Sequence, residues 1–157
     1  MIGSSLYNIY IYKPGDKCIY LFIKLNLASM KGHLDCISKL IDAGASVNLK
    51  DSEGNAALAF SADKGYLLCV SVLINRGLAD VNAKNHLGYC ALHMATANRH
   101  LTVISLLLEL LANVNAKSIE GYSAMDIAKS KNRSEEIIQI LKRHGAIDDV
   151  VIDECAD

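Results

Sequence analysis

The chain has 157 residues, of which 52% are hydrophobic and 21% charged, so it has enough apolar residues to form a core. This composition excludes intrinsic disorder as the main state and fits a single domain. Sixteen Lys and Arg against seventeen Asp and Glu give a net charge of −1, which argues against nucleic-acid binding. No apolar run approaches the ~20 residues that cross a bilayer, so no membrane partner is expected.

The start of the chain lacks the pattern of a secretory signal peptide, because its first ten residues contain no Lys or Arg. Five cysteines are an odd number and include no CxxC pair, which argues against a disulfide framework and a zinc cage. We therefore expect free thiols and a cytoplasmic protein, with the nucleus as the alternative compartment.

Residues 1–24 are rich in aromatic side chains and contain four of the seven tyrosines. From Tyr7 to Ile23, two runs of β-branched and aromatic residues flank Pro14 and Gly15, which predicts a short β-hairpin. Two interpretations stay open for this segment. It is either a cap on the helical region that follows or a poorly ordered extension, because Leu21 stands where a turn glycine is expected.

The ten glycines reveal an internal repeat, because eight of them recur at intervals of 33 or 34 residues or at twice that interval. These eight are Gly32 and Gly65; Gly44, Gly77 and Gly145; and Gly54, Gly88 and Gly121. The pairs Val47-Asn48, Val81-Asn82 and Val114-Asn115 keep the same interval. A period of this length is typical of a solenoid built from small helical units.

Each period predicts the order turn, helix, turn, helix, from the positions of its glycines and apolar stretches. The glycine after each second helix, such as Gly44 or Gly77, is expected to take the left-handed backbone that ends the helix. Leu111 occupies this place in the third copy, so either its backbone is strained or the helix end is shifted toward Asn113. The asparagine of each Val-Asn pair is expected to bond the local backbone.

These repeats resemble the ankyrin repeat, a 33-residue unit of a hairpin-like turn and two antiparallel helices. The resemblance spans residues 25–147 and includes GYCALHMA from Gly88 to Ala95. The family's Thr-Pro-Leu-His tetrad is degenerate in every copy, and its helix-initiating proline is absent. The resemblance implies an all-α solenoid with repeats at about 18–50, 51–84, 85–117 and 118–147. The N-terminal segment 1–24 precedes this domain of residues 25–147, and an acidic tail, residues 148–157, follows it.

No group of side chains predicts catalysis. Cys90 and His93 are three residues apart on a short helix and could mimic a thiol and a base, but His93 matches the family's structural histidine. Cys36 and Cys69 are 33 apart and are expected to be buried apolar thiols. No phosphate loop, paired-carboxylate site or metal spacing is present, so neither an enzyme nor a cofactor is expected.

The last repeat carries a basic cluster that is interleaved with acidic residues, which is typical of a solvated capping face rather than a nucleic-acid site. Its members are Lys117, Lys129, Lys131, Arg133, Lys142 and Arg143.

By resemblance to the family, the turn tips and the exposed side of the first helices form a concave face that binds a protein partner. The residues that match this face are Ser52, Glu53, Asn55, Asp63, Lys64, His86, Leu87, Tyr89, Asn98, Ile119, Glu120, Tyr122 and Lys131. Leu87, Ile119 and the two tyrosines Tyr89 and Tyr122 are expected to form one apolar patch. Packing of both tyrosines on neighbouring turns is an equally open alternative.

The expected function is non-catalytic protein binding by a monomer. An alternative is stoichiometric inhibition of an enzyme, because small four-repeat ankyrin proteins resemble the cyclin-dependent kinase inhibitors in size. A catalytic role would require a cleft that joins Cys90 and His93 to a third polar group.

Overall fold

The computed structural model describes residues 16–130 and 134–148. Within these residues the chain forms α-helices and no strand, as the repeat pattern predicted. The helices are α1 (Lys17–Lys31), α2 (Leu34–Asp42), α3 (Ala57–Lys64), α4 (Leu67–Asn75), α5 (Ala91–Ala97), α6 (Leu101–Glu109), α7 (Ala124–Ser130) and α8 (Glu135–Arg143).

The helices pack as four successive pairs. The first helices α1, α3, α5 and α7 stack side by side, and the second helices α2, α4, α6 and α8 form a parallel stack behind them. One hydrophobic cluster runs through the whole stack, from Leu25 in the first pair to Leu141 in the last. Each pair buries its apolar face against its neighbours, so the fold is an all-α repeat solenoid.

Helix α1 overturns the second half of the predicted β-hairpin, since residues 18–23 are helical. The Asp16 side chain begins the helix by accepting a hydrogen bond from the Cys18 backbone N–H at 3.0 Å. Leu21, Leu25 and Ala28 are buried at helical spacing, and no glycine or proline interrupts them. Packing of this face therefore outweighs the β preference of the aromatic residues, and α1 crosses the boundary expected at residues 24 and 25. The first hairpin run lies outside the described residues.

The residues that end the second helices correct one predicted position. Gly44, Leu78, Leu111 and Gly145 have positive φ angles of 86°, 56°, 66° and 84°. Leu78 thus takes the place that the glycine spacing assigned to Gly77. Gly77 is needed for a different reason, because a Cβ atom there would lie 2.7 Å from the Leu73 carbonyl oxygen.

The sequence predicted that the repeated asparagines bond their local backbone, and this prediction is wrong, because their side chains bond the next repeat instead. The Asn48 Nδ2 donates to the Leu78 carbonyl at 3.1 Å, and its Oδ1 accepts from the Asp80 N–H at 2.8 Å. Asn82 makes the same pair of bonds to Leu111 and Asn113, and Asn115 makes them to Gly145 and Ile147. Each amide therefore fixes the loop that follows the second helix of the next repeat.

The two equivalent cysteines differ in burial, which corrects half of the expectation for them. Cys69 is buried in the core, whereas Cys36 is exposed on α2. Cys69 lies on the second repeat, which has a described repeat on each side. Cys36 lies on the first pair, which has a described repeat only on its α3 and α4 side.

Candidate partner-binding surface

Three turns project from the stack in front of α3, α5 and α7, and we call them tips 1, 2 and 3. They comprise residues 51–55, 85–89 and 118–122. In tip 1 the Asp51 carboxylate accepts hydrogen bonds from the N–H groups of Glu53 and Asn55, both at 2.9 Å. The side chain of the first tip residue therefore closes this turn, because its oxygen accepts the hydrogen bonds that a backbone carbonyl would otherwise accept.

Tips 2 and 3 are closed in the same way. The Asn85 Oδ1 accepts from the Leu87 and Tyr89 N–H groups, both at 3.0 Å. In tip 3 the Ser118 hydroxyl oxygen accepts from the Tyr122 N–H at 3.1 Å. Sequence reasoning missed these closing residues, although Asp51, Asn85 and Ser118 recur at the 34- and 33-residue interval that would have revealed them.

Adjacent tips are joined by backbone hydrogen bonds. The His86 N–H donates to the Glu53 carbonyl, and the Ile119 N–H donates to the Leu87 carbonyl, both at 2.9 Å. Gly54 is required for this approach, because a Cβ atom there would lie 2.8 Å from the His86 backbone nitrogen. The three tips therefore form one continuous ridge with a fixed spacing.

The structure places most of the predicted binding residues on the outside of this ridge and the adjoining helix ends. The exposed residues of this set are Ser52, Glu53, Lys64, His86, Leu87, Asn98, Ile119, Glu120 and Tyr122. Asp63 and Tyr89 are half-buried, and Lys131 lies outside the described residues.

Asn55 is the exception, because it is buried and forms a hydrogen bond inside the ridge. Its Oδ1 accepts a hydrogen bond from the Asn85 Nδ2 at 3.1 Å, which links tip 1 to tip 2. Its amide is therefore occupied by a contact between repeats, and it adds nothing to the exposed surface.

Large apolar side chains of tips 2 and 3 face solvent. Leu87 is 63% exposed, Ile119 is 74% exposed and Tyr122 is 50% exposed. Exposed apolar side chains are common one at a time on protein surfaces, but a contiguous set often marks an interaction site. The backbone bond between Leu87 and Ile119 brings these two residues of the predicted patch together.

A groove of about 400 Å³ lies beside this apolar row, between the faces of α5 and α7. We call it the tyrosine groove, and it is lined by Tyr89, His93, Met94, Ala97, Tyr122, Ile127 and Ser130. The Tyr89 ring packs edge-on against the His93 ring, with centroids 5.5 Å apart. Tyr89 therefore supports the local structure and lines the groove at the same time.

A small polar cluster lies at the far ends of α3 and α5. The Asn98 Nδ2 donates to the Asp63 carboxylate at 2.8 Å, and the Lys64 ammonium lies 3.5 Å from the same carboxylate. The structure thus brings together three predicted binding residues from two repeats, and this cluster carries both charge signs.

Cys90 and His93 form a buried pair, and the hydrogen bonds of His93 have a structural role. The His93 Nε2 faces the carbonyl oxygens of Ala116 and Tyr122 at 3.0 and 3.2 Å, so this nitrogen carries the hydrogen. Its Nδ1 accepts from the Cys90 N–H and lies 3.1 Å from the Cys90 sulfur. His93 therefore holds tip 3 against α5 and fixes the backbone that carries Tyr122.

The pKa values of this pair oppose thiol activation. Burial raises the pKa of the Cys90 thiol, and burial lowers the pKa of His93. A protonated thiol donates to a neutral imidazole whose other nitrogen is already bound, so this geometry does not generate a nucleophile.

The fourth repeat replaces this pair with Ser123 and Asp126. The Asp126 carboxylate accepts hydrogen bonds from the Ser123 hydroxyl at 2.6 Å and from its N–H at 2.8 Å. Partial burial alone would raise the pKa of Asp126, but the Ser123 hydrogen bonds and the charges of Lys117 and Lys129 together outweigh it and hold this pKa below its usual range. Asp126 thus closes the start of α7.

Part of the basic cluster in the last repeat is paired with the start of the acidic tail. Lys129 forms a salt bridge with the Asp148 carboxylate, and the Lys142 ammonium lies 3.7 Å from it. The hydrogen bond from Lys129 holds the pKa of Asp148 below its usual range. Lys131, Arg133 and the tail after Asp148 lie outside the described residues.

Neither a metal site nor a membrane span occurs in the described part of the chain. Residues 16–130 and 134–148 contain no group of three or more His, Cys, Asp or Glu side chains that could hold a metal ion. No helix among them is both long and apolar enough to traverse a bilayer.

Comparison with known families is consistent with this geometry. The family model described as ankyrin repeats (3 copies) matches residues 25–118 and, in a second overlapping match, residues 78–153. A search of the curated proteins found no match. The two matches cover most of the chain and coincide with the stacked helix pairs and their tips. The chain therefore belongs to the ankyrin repeat family, whose repeats are general protein–protein interaction modules.

Proposed function

We propose that this protein binds a partner protein, without catalysis, on the concave side of the array, through tips 2 and 3 and the tyrosine groove. The observation that carries the proposal is the exposed row of Leu87, Ile119 and Tyr122, which continues into a groove of about 400 Å³. Large apolar side chains in a fixed row lose little conformational freedom on binding, because the backbone beneath them is already ordered.

The arrangement favours an extended or helical segment that inserts an apolar side chain between Tyr89 and Tyr122. Aromatic side chains are enriched at the centres of interfaces, where an anchor typically contributes about 2 kcal/mol or more. The cluster of Asp63, Lys64 and Asn98 lies at the polar edge of this surface and would fix the direction of the bound segment. A scaffold and a stoichiometric inhibitor would both use this surface, so both activities depend on the same residues.

The test is a comparison of partner binding by variants of the full chain. The partner is first captured with wild-type protein and identified, and its affinity is then measured by calorimetry. Ile119→Ser with Tyr122→Ala should weaken binding about 30-fold or more, since 2 kcal/mol corresponds to that ratio. Tyr89→Ala should weaken binding and also lower the melting temperature, because its ring packs on His93.

Leu68→Ser provides the matched control. Leu68 is 64% exposed, as much as Leu87, but it lies on α4, away from the tips. This variant should bind normally. Unchanged affinity in the double variant, or an equal loss in Leu68→Ser, would contradict the proposed surface.

A further inference from the structure

A second groove lies at the first helix pair, between α1 and α2, and it shares no residue with the tyrosine groove. Its volume is about 450 Å³, and its apolar lining includes Leu27, Ala28 and Leu40. Leu27 is exposed although it belongs to a helix whose other face is in the core. We call this feature the basic groove because of the charged side chains around it.

The charged lining of this groove is entirely basic. Its charged side chains are Lys24, Lys31 and Lys39, His33 lies beside them, and no Asp or Glu among the described residues lines the groove. Within the described residues, no carboxylate lies within ion-pair distance of the three lysines. The Lys24 ammonium is instead held over the Tyr20 ring, 4.3 Å from its centroid.

Two of these lysines replace apolar residues of the repeat. Lys24 occupies the position of Ala57, Ala91 and Ala124, which are buried in the later first helices. Lys39 occupies the position of Val72, Leu106 and Ile140, which pack against the core. The first pair therefore combines an apolar floor with lysines at two positions that are apolar in the later repeats.

We propose that the basic groove binds an acidic amphipathic peptide segment of a partner protein. Apolar side chains of such a segment would cover Leu27 and Leu40, and its carboxylates would reach the three lysines. Burial of part of the apolar floor lowers the local dielectric and strengthens each charge pair relative to water. This binding site is independent of the proposed concave surface, because it uses a different helix pair.

Charge complementarity decides between this occupant and the preceding part of the chain. Residues 1–15 contain no Asp or Glu and one basic residue, Lys13. They cannot neutralise three unpaired lysines, whereas an acidic partner segment can. The apolar floor also favours a peptide over a nucleic acid, since phosphates gain nothing from contact with Leu27 or Leu40.

The experiment measures binding of a defined probe to the full chain by fluorescence anisotropy. The probe is a labelled 12-residue peptide with Glu and Leu alternating at helical spacing, and the control probe has Gln in place of Glu. Binding of the Glu peptide should be at least tenfold tighter than that of the Gln peptide at low ionic strength. The difference should shrink as salt is raised, because partly exposed charges are screened.

The test variant is Lys24→Ala with Lys39→Val, which installs the residues found at the same positions in the second repeat. These substitutions keep the helix and should leave the melting temperature unchanged or higher, while affinity for the Glu peptide falls about tenfold. The control is Arg143→Gln, which removes an exposed charge from α8 at the other end of the stack and should bind as wild type.

Any of three results would overturn the proposal. The Glu and Gln peptides could bind with equal affinity, or the Lys24→Ala, Lys39→Val variant could keep full affinity for the Glu peptide. A 12-nucleotide single-stranded DNA could also bind more tightly than the Glu peptide. Binding that occurs only after removal of residues 1–15 would assign the groove to that segment instead. Unchanged partner binding in the Ile119→Ser, Tyr122→Ala variant would contradict the proposed concave surface but has no bearing on this groove, so the two proposals fail separately.

Discussion

Leu111 offers a direct test of how backbone strain is distributed in this solenoid. Its φ angle is 66°, in the left-handed region that disfavours every residue with a Cβ atom, and it is 83% exposed. Gly44 and Gly145 occupy the same place in the first and last repeats. We therefore expect Leu111→Gly to be neutral or stabilising, although it replaces a large apolar residue with the smallest one.

The magnitude follows from three contributions. Relief of the left-handed strain should stabilise the fold by about 1–2 kcal/mol. Glycine also increases the entropy of the unfolded chain, which costs about 0.4–1 kcal/mol. Only about a sixth of the Leu111 side chain is covered, so lost burial costs about 0.3–0.5 kcal/mol. Together they give a change between a loss of about 0.5 kcal/mol and a gain of about 1.3 kcal/mol, centred slightly above zero.

Urea unfolding followed by circular dichroism measures this change. A gain of 1 kcal/mol should raise the urea midpoint by about 0.5 M and the melting temperature by about 2–4 °C. Gly44→Leu is the matched reverse substitution, because nothing lies within 4 Å of a Cβ atom at Gly44. Backbone strain should cost this variant about 1–2 kcal/mol, and the lower entropy of its unfolded chain should offset about 0.4–1 kcal/mol of that. A clear fall in the midpoint of Leu111→Gly would refute the reasoning and show that Leu111 is a packed residue.

Two further predictions concern contacts between repeats. Asn48→Ala should lower stability by about 1–2 kcal/mol in the same assay, because the bonds to Leu78 and Asp80 are lost; Asn75→Ala, which removes only a bond within α4, should be nearly neutral. Burial lowers the pKa of His93 in the folded state, so the unfolded chain binds a proton first as the pH falls. Stability should therefore be full above about pH 6.5 and decline below it, and His93→Gln should flatten the fall in melting temperature between pH 8 and pH 5.

The candidate site was partly predictable from the sequence. The 33-residue interval placed Leu87, Tyr89, Ile119 and Tyr122 on successive tips, and the structure exposes three of them and lines a groove with both tyrosines. The spacing could not show that Asn55 is buried between tips, because that depends on the Asn85 amide of the next repeat. Contacts across a repeat boundary determine burial, and the pattern within one repeat does not contain them.

The basic groove shows the same division between pattern and packing. Lys24 and Lys39 stand at positions where the other repeats have apolar residues, which the sequence alone displays. Their proximity to Leu27 and Leu40 in one groove depends on how α1 folds back against α2. The aromatic content of α1 had predicted strand for residues 18–23, so this groove could not be inferred until the helix was known.

The sequence by itself determined the repeat, its helix pairs and its family, because small and apolar residues recur wherever one unit must pack on the next. Tertiary structure decided the placement of single residues within that period. In the second repeat the left-handed position lies at Leu78 rather than at Gly77, and a side chain at Gly77 would come within 2.7 Å of the Leu73 carbonyl oxygen. Periodicity records what all repeats share, whereas close contacts between neighbouring repeats determine where one of them departs from the rest.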